Sequence, residues 1–156
     1  MANTQAICNS FKQDLLNAVH AFSTNNPAHT AGVADSFKAA LFLQSATLDA
    51  AITSYTGTAG EVSSSGTNYP TAGVAIASWN APTLTGGVAF TTPTASFEFP
   101  NVTIATPFDC CLIYNNTIAS KNAVMVCTFG AQTITAGTVT LSMPTNASGT
   151  ALLQLA

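Results

Sequence analysis

Near the start of the chain apolar residues return at three- and four-residue intervals: Ile7, Phe11, Leu15, Val19 and Phe22, with Lys12, Gln13 and Asn17 between them. That period lays one apolar stripe along a helix and predicts a single amphipathic helix over residues 3–22. The helix runs into Ser23-Thr24-Asn25-Asn26-Pro27, turn formers closed by a proline that discourages continuation. The polar, Ala-rich stretch that follows, as far as Asp35, reads as loop.

From Phe37 the period shortens to two. Phe37, Leu41 and Leu43 share one parity, which favours a strand over residues 37–43, although Asp35-Ser36 ahead of the alanines could also cap a short helix. Residues 54–73 hold Gly57, Gly60, Gly66, Pro70 and three consecutive serines, so a long loop is expected there. Short β-like pieces follow: Val74-Ala75-Ile76, Val88-Ala89-Phe90, Phe97-Glu98-Phe99 and Val102-Thr103-Ile104, each bounded by Gly, Pro or Asn. Cys110-Cys111-Leu112-Ile113-Tyr114 shows no alternation and reads as a central strand buried on both faces. Residues 123–129 are likewise apolar on both parities, whereas Val139, Leu141 and Met143 alternate with Thr138, Thr140 and Ser142; residues 151–156 read as a closing strand.

Short strands separated by Gly and Pro, with Thr on their outer faces, point to a mainly β fold: an antiparallel β-sandwich or jelly-roll-like domain carrying one N-terminal amphipathic α-helix. At 156 residues the chain has the length of one compact domain. Within it, residues 1–35 form the helix and linker and residues 36–156 the β-sandwich. No fixed-period repeat suggests a solenoid or propeller.

Composition changes this picture in one respect. Charged residues make up 6% of the chain, against roughly 25% in typical soluble domains. The only basic residues besides histidine are Lys12, Lys38 and Lys121. A surface of Thr, Ser, Asn, Ala and Gly carries little repulsion and little desolvation cost, which suits packing against copies of itself or another protein. A net charge of −3 without a basic cluster excludes nucleic acid as a direct partner. No apolar run has the length of a membrane helix, and the opening Met1-Ala2-Asn3-Thr4-Gln5 has no signal-peptide character, so a cytoplasmic site of synthesis without membrane attachment is expected.

Candidate chemistry is sparse. Cys8, Cys110, Cys111 and Cys127 lack C-x-x-C spacing and read as buried thiols, with a bridge from Cys127 to either Cys110 or Cys111 left open. His20 lies beside the apolar stripe, and His29 has no partner near it in sequence. Asp109 beside Cys110 would raise the thiol's pKa and so opposes nucleophilic activation. Glu61 and Glu98 are the one carboxylate pair worth weighing for glycoside hydrolysis, and nothing in the sequence brings them together. Phosphate-loop, serine-elbow and zinc-helix motifs are absent. The sequence therefore predicts no catalytic residue, no cofactor and no metal; the sequons at Asn101, Asn115 and Asn146 read as turn formers.

Several blocks, in order along nearly the whole chain, carry a resemblance. They are Met1-Ala2-Asn3-Thr4-Gln5-Ala6-Ile7-Cys8-Asn9-Ser10-Phe11-Lys12, Phe37-Lys38-Ala39-Ala40-Leu41, Gly60-Glu61-Val62, Gly66-Thr67-Asn68-Tyr69, Thr106-Pro107-Phe108-Asp109, Leu112-Ile113-Tyr114-Asn115, Ala136-Gly137-Thr138 and Met143-Pro144. Together they resemble small structural virion proteins of tailed bacteriophages. The chain departs from that pattern in its three serines, Pro70 and Val74.

The resemblance implies a non-enzymatic virion component of the capsid cement or decoration type. Such a protein would be assembled in the host bacterial cytoplasm and bound to the capsid exterior, with the major capsid protein as partner and self-association as a homotrimer. Phe11, Leu15 and Val19 on the helix, with Tyr55, Tyr69 and Trp79 in or beside loops, are the candidate subunit contacts. Because aromatic residues favour recognition surfaces, the same three loop aromatics support an alternative role as a tail, collar or adsorption component.

Overall fold

The computed structural model describes residues 2–24, 33–56 and 58–156. In chain order the elements are β1 (Ala6–Ile7), α1 (Asn9–Leu16), β2 (Phe37–Leu43), β3 (Val74–Ile76), β4 (Thr83–Thr85), β5 (Val88–Thr91), β6 (Phe97–Asn115), β7 (Ala123–Leu141) and β8 (Leu153–Leu155). The fold is mainly β and sandwich-like. A five-stranded sheet, ordered β1-β7-β6-β2-β3, accompanies a three-stranded sheet, ordered β4-β5-β8, and every pairing is antiparallel.

The unalternating Cys110–Tyr114 run lies in β6, the middle strand of the larger sheet, and all five residues are 0% exposed. Residues 37–43 form a strand rather than a helix. β2 pairs along β6 from Phe37↔Asn115 to Leu43↔Phe108, so its alanines pack inside the sheet layer instead of along a helix face.

The short pieces expected between residues 97 and 104 are not separate strands. They join the central run in one 19-residue strand, and β7 matches it at 19 residues. Pro100 and Asn101 interrupt the local pattern without ending the strand, because the ladder takes them up as a bulge: Phe99 pairs with Val139 and Val102 with Gly137, with Asn101 at φ 53°. Neither the two-residue β1 nor the fully exposed β4 has a strand signature in the sequence.

The N-terminal helix is much shorter than its periodicity suggests. It spans only the eight residues Asn9–Leu16 and stops at Ala18, whose φ of 53° is a left-handed cap. Upstream, hydrogen bonds hold the chain extended: Thr4 N–H donates to Leu48 O, Cys8 N–H to Val124 O, and the Asn3 amide bridges Leu43 O, Leu48 N–H and the Asp109 carboxylate. Downstream, a helix would prevent His20 and Phe22 from reaching the core. As an extended segment it stacks Phe22 on Phe37 at 4.8 Å and sets it edge-on to Trp79 at 4.9 Å. Tertiary burial of these rings outweighs a helical propensity of a few tenths of a kcal/mol per residue, roughly.

Candidate functional site

Of the six side chains singled out as subunit contacts, three are spent inside the chain. Phe11 is 0% exposed, Tyr69 2% and Trp79 7%. Leu15, Val19 and Tyr55 are half-buried. The helix therefore packs on its own domain. Phe11 contacts His20 and Phe22 with ring centroids 5.1 and 6.0 Å away, and Leu16, 89% exposed, faces outward with Asn9, Lys12 and Gln13.

Residues 54–73 are irregular, as expected, yet they are fastened to the sheet, by backbone bonds from Leu43 N–H to Gly60 O and from Val62 N–H to Leu41 O on β2 and by one carboxylate. Glu61 Oε1 accepts from Tyr69 O–H at 3.0 Å and Ala72 N–H at 2.8 Å, while Oε2 accepts from Tyr55 O–H at 2.5 Å. Tyr69 oxygen in turn accepts from Leu41 N–H in β2, Tyr114 O–H donates to Ala72 O, and Tyr55 stacks on Tyr114 at 4.5 Å. Burial, then the neighbouring Glu61, raises the tyrosine pKa values, with Tyr114 pushed up to about 12. Three donors thus engage both oxygens of this carboxylate. Glu98 instead stands exposed on β6, accepting from Thr140 O–H at 3.3 Å.

A second polar cluster lies beneath α1. His20, 4% exposed, has Nε2 3.4 Å from Asp14 Oδ2 and receives the Asn115 amide on Nδ1 at 3.1 Å. The same amide donates to Asp35 Oδ2 at 2.8 Å, and Asn115 Oδ1 accepts from Thr117 N–H. These contacts tie the segment after the helix to the sheet. His29 lies outside the described residues.

All four cysteines are free thiols. The register sets Cys111 opposite Cys127 and Cys110 opposite Thr128. Burial pushes Cys8, Cys110 and Cys127 up to about 12, helped at Cys110 by the charge and hydrogen bond of Asp109, so these are packing groups rather than nucleophiles. Among the described residues no group of three His, Cys, Asp or Glu side chains is arranged to hold a metal ion, and no helix is long and apolar enough to cross a membrane.

A further surface is the outer edge of β7. The first part of that edge is covered: Ser54 bridges Asn122, Thr53 O accepts from Ala123 N–H, and β1 pairs with Met125 and Val126. Beyond this, among the described residues, no backbone segment other than β6 pairs with β7 from Gln132 to Leu141. Thr133, Thr135, Thr138 and Thr140 are exposed along it, while Ile134, Val139 and Leu141 are half-buried and line an open groove of about 430 Å³ with Phe108 and Phe129.

No Asp, Glu, Lys, Arg or His occurs after Lys121. The Thr alternation and the charge deficit are visible in the sequence, whereas their coincidence on one edge comes from the strand order. The uncharged run from residue 122 to 156 was the signal for it. No protein-family model, curated protein or solved structure matches the chain.

Proposed function

We propose that the chain is a non-enzymatic structural subunit of a tailed-phage particle, of the cement type that binds outside the capsid shell and holds neighbouring shell subunits together. The observation that carries this reading is the uncharged, Thr-faced and unpaired edge of β7 on a chain with only 6% charged residues. A freely diffusing domain guards such an edge with lysine, proline or a covering element, whereas a subunit that spends its life in contact with neighbours gains from leaving it open. The sequence blocks resembling small virion proteins supply the particle context.

The adsorption alternative rested on aromatic loops. Tyr69 and Trp79 are buried in the core, which withdraws most of its support. Electron cryo-microscopy of intact particles tests the reading directly. Density for this chain repeated over the icosahedral shell is the expected result and would also show whether copies associate as trimers; density confined to the tail or a single vertex, or none at all, overturns it.

A further inference from the structure

We infer that the open edge of β7 pairs, antiparallel and about a twofold axis near Val139, with the same edge of a second copy of this chain. The inference deepens the assembly reading by naming one of its contacts. It starts from the regular part of the edge. The β-bulge at Thr135-Ala136, where Ile134 pairs with Ile104 but Gly137 with Val102 and Ala136 has φ 46°, separates off residues 137–141, which carry no extra residue of their own because the one between Gly137 and Val139 belongs to β6.

In that stretch every second residue turns its N–H and C=O away from β6. Those groups form a ladder template with no described partner. Side-chain parity then decides what fits. Thr138 and Thr140 are exposed and Val139 and Leu141 half-buried, so a strand laid alongside must present threonine-like and apolar residues alternately in the same phase.

A second copy turned about Val139 does this. Val139 meets its equivalent at the axis, Thr138 lies opposite Thr140 of the other copy, and Leu141 lies opposite the other copy's Gly137. Cross-strand Thr–Thr and β-branched pairs are favourable in antiparallel sheets, and the half-buried groove side chains of the two copies become continuous across the axis.

Charge is compatible with the same occupant. Nothing after Lys121 is charged, and the only nearby carboxylate is Glu98, one strand back on β6. An acidic strand would be repelled by Glu98, which accepts from Thr140 at 3.3 Å, and a basic one would find that single carboxylate, whereas β7, itself uncharged, meets itself without repulsion. A ladder this short lies at the low end of specific interfaces, so single pairs are weak in dilute solution and count through repetition on a shell. Because an isologous pair has twofold symmetry, it would link neighbouring copies or neighbouring trimers rather than build a trimer.

The test uses the purified full chain and two double variants at exposed threonines: T138K with T140K, and T138E with T140E. Across the axis residue 138 of one copy faces residue 140 of the other, so each variant sets like charges opposite one another, while a mixture of the two sets opposite charges together.

Sedimentation equilibrium of the unaltered chain is expected to show a weak monomer–dimer equilibrium. Each double variant should associate about tenfold or more weakly with an unchanged circular dichroism spectrum, and the mixture should regain the dimer. A wild-type chain that stays monomeric at its highest soluble concentration overturns the inference. Dimers that persist in both charged variants, or a trimer insensitive to them, do so as well. Failure of the particle reading looks different: solution dimers form as expected, but no density for the chain appears on particles.

Discussion

Replacing Glu61 should separate two ideas about residues 54–73, a loose binding loop or a segment clamped to the sheet. Glu61→Ala removes both carboxylate oxygens. Tyr55 O–H, half-buried, can turn to water, but Tyr69 O–H is 2% exposed and Ala72 N–H is part-buried. Each hydrogen bond to a charged group contributes about 1.5–3 kcal/mol, and an orphaned buried donor costs about 1–3. Counting the two sheltered donors and allowing for non-additivity, the loss is about 3–4 kcal/mol.

Glu61→Gln should cost only about 1 kcal/mol. Its carbonyl oxygen can stand at the Oε1 position and keep Tyr69 and Ala72, while its amide donates to the Tyr55 oxygen and reverses that bond. Urea unfolding followed by circular dichroism measures both changes as shifts in midpoint at constant slope. In a chain of this size the alanine variant should also melt about 6–16 °C lower. An alanine variant that loses less than about 1 kcal/mol, or a glutamine variant as unstable as the alanine one, would refute the clamp.

Other consequences can be checked in the same way. Gly73→Ala should be more damaging than any surface change, by about 3 kcal/mol or more, because its Cβ would lie 1.9 Å from Ala39 O in β2 at a φ of +72°; a soluble, wild-type-like melt would contradict this. Phe11→Ser with Leu15→Ser should unfold or strongly destabilise the whole domain, since Phe11 is fully buried against His20 and Phe22. A folded variant that merely fails to join particles would contradict this and make Phe11 and Leu15 subunit contacts instead.

Stability should fall in alkali. Burial raises the thiols of Cys8, Cys110 and Cys127 from 9.0 to about 12 and Tyr114 from 10.0 to about 12. Native pKa values above unfolded ones mean that the neutral groups stabilise fully below the unfolded values, and that this contribution is lost as pH rises toward 12. The urea midpoint should decline through that window, and one that stays level across it would contradict the burial argument. For the same reason a thiol reagent near neutral pH should modify these cysteines only slowly in the native chain and rapidly in urea.

Local patterning was enough to read the mainly β character, the strand at residues 37–43 and the doubly buried central strand, because side-chain parity and the absence of parity are properties of neighbours in sequence. The charge deficit was equally plain. Tertiary structure decided the rest, where distant residues compete. Periodicity alone extended the helix over residues 3–22, but Phe37 and Trp79 captured Phe22 and the β7 edge captured residues 6–8, leaving an eight-residue helix. Tyr69 and Trp79 sit in segments that look like exposed loops; a glutamate eight residues before one and a ring cluster around the other place them inside. The open edge belongs to both levels: composition left the last 35 residues without charge, but only the strand order shows which backbone groups they leave unpaired.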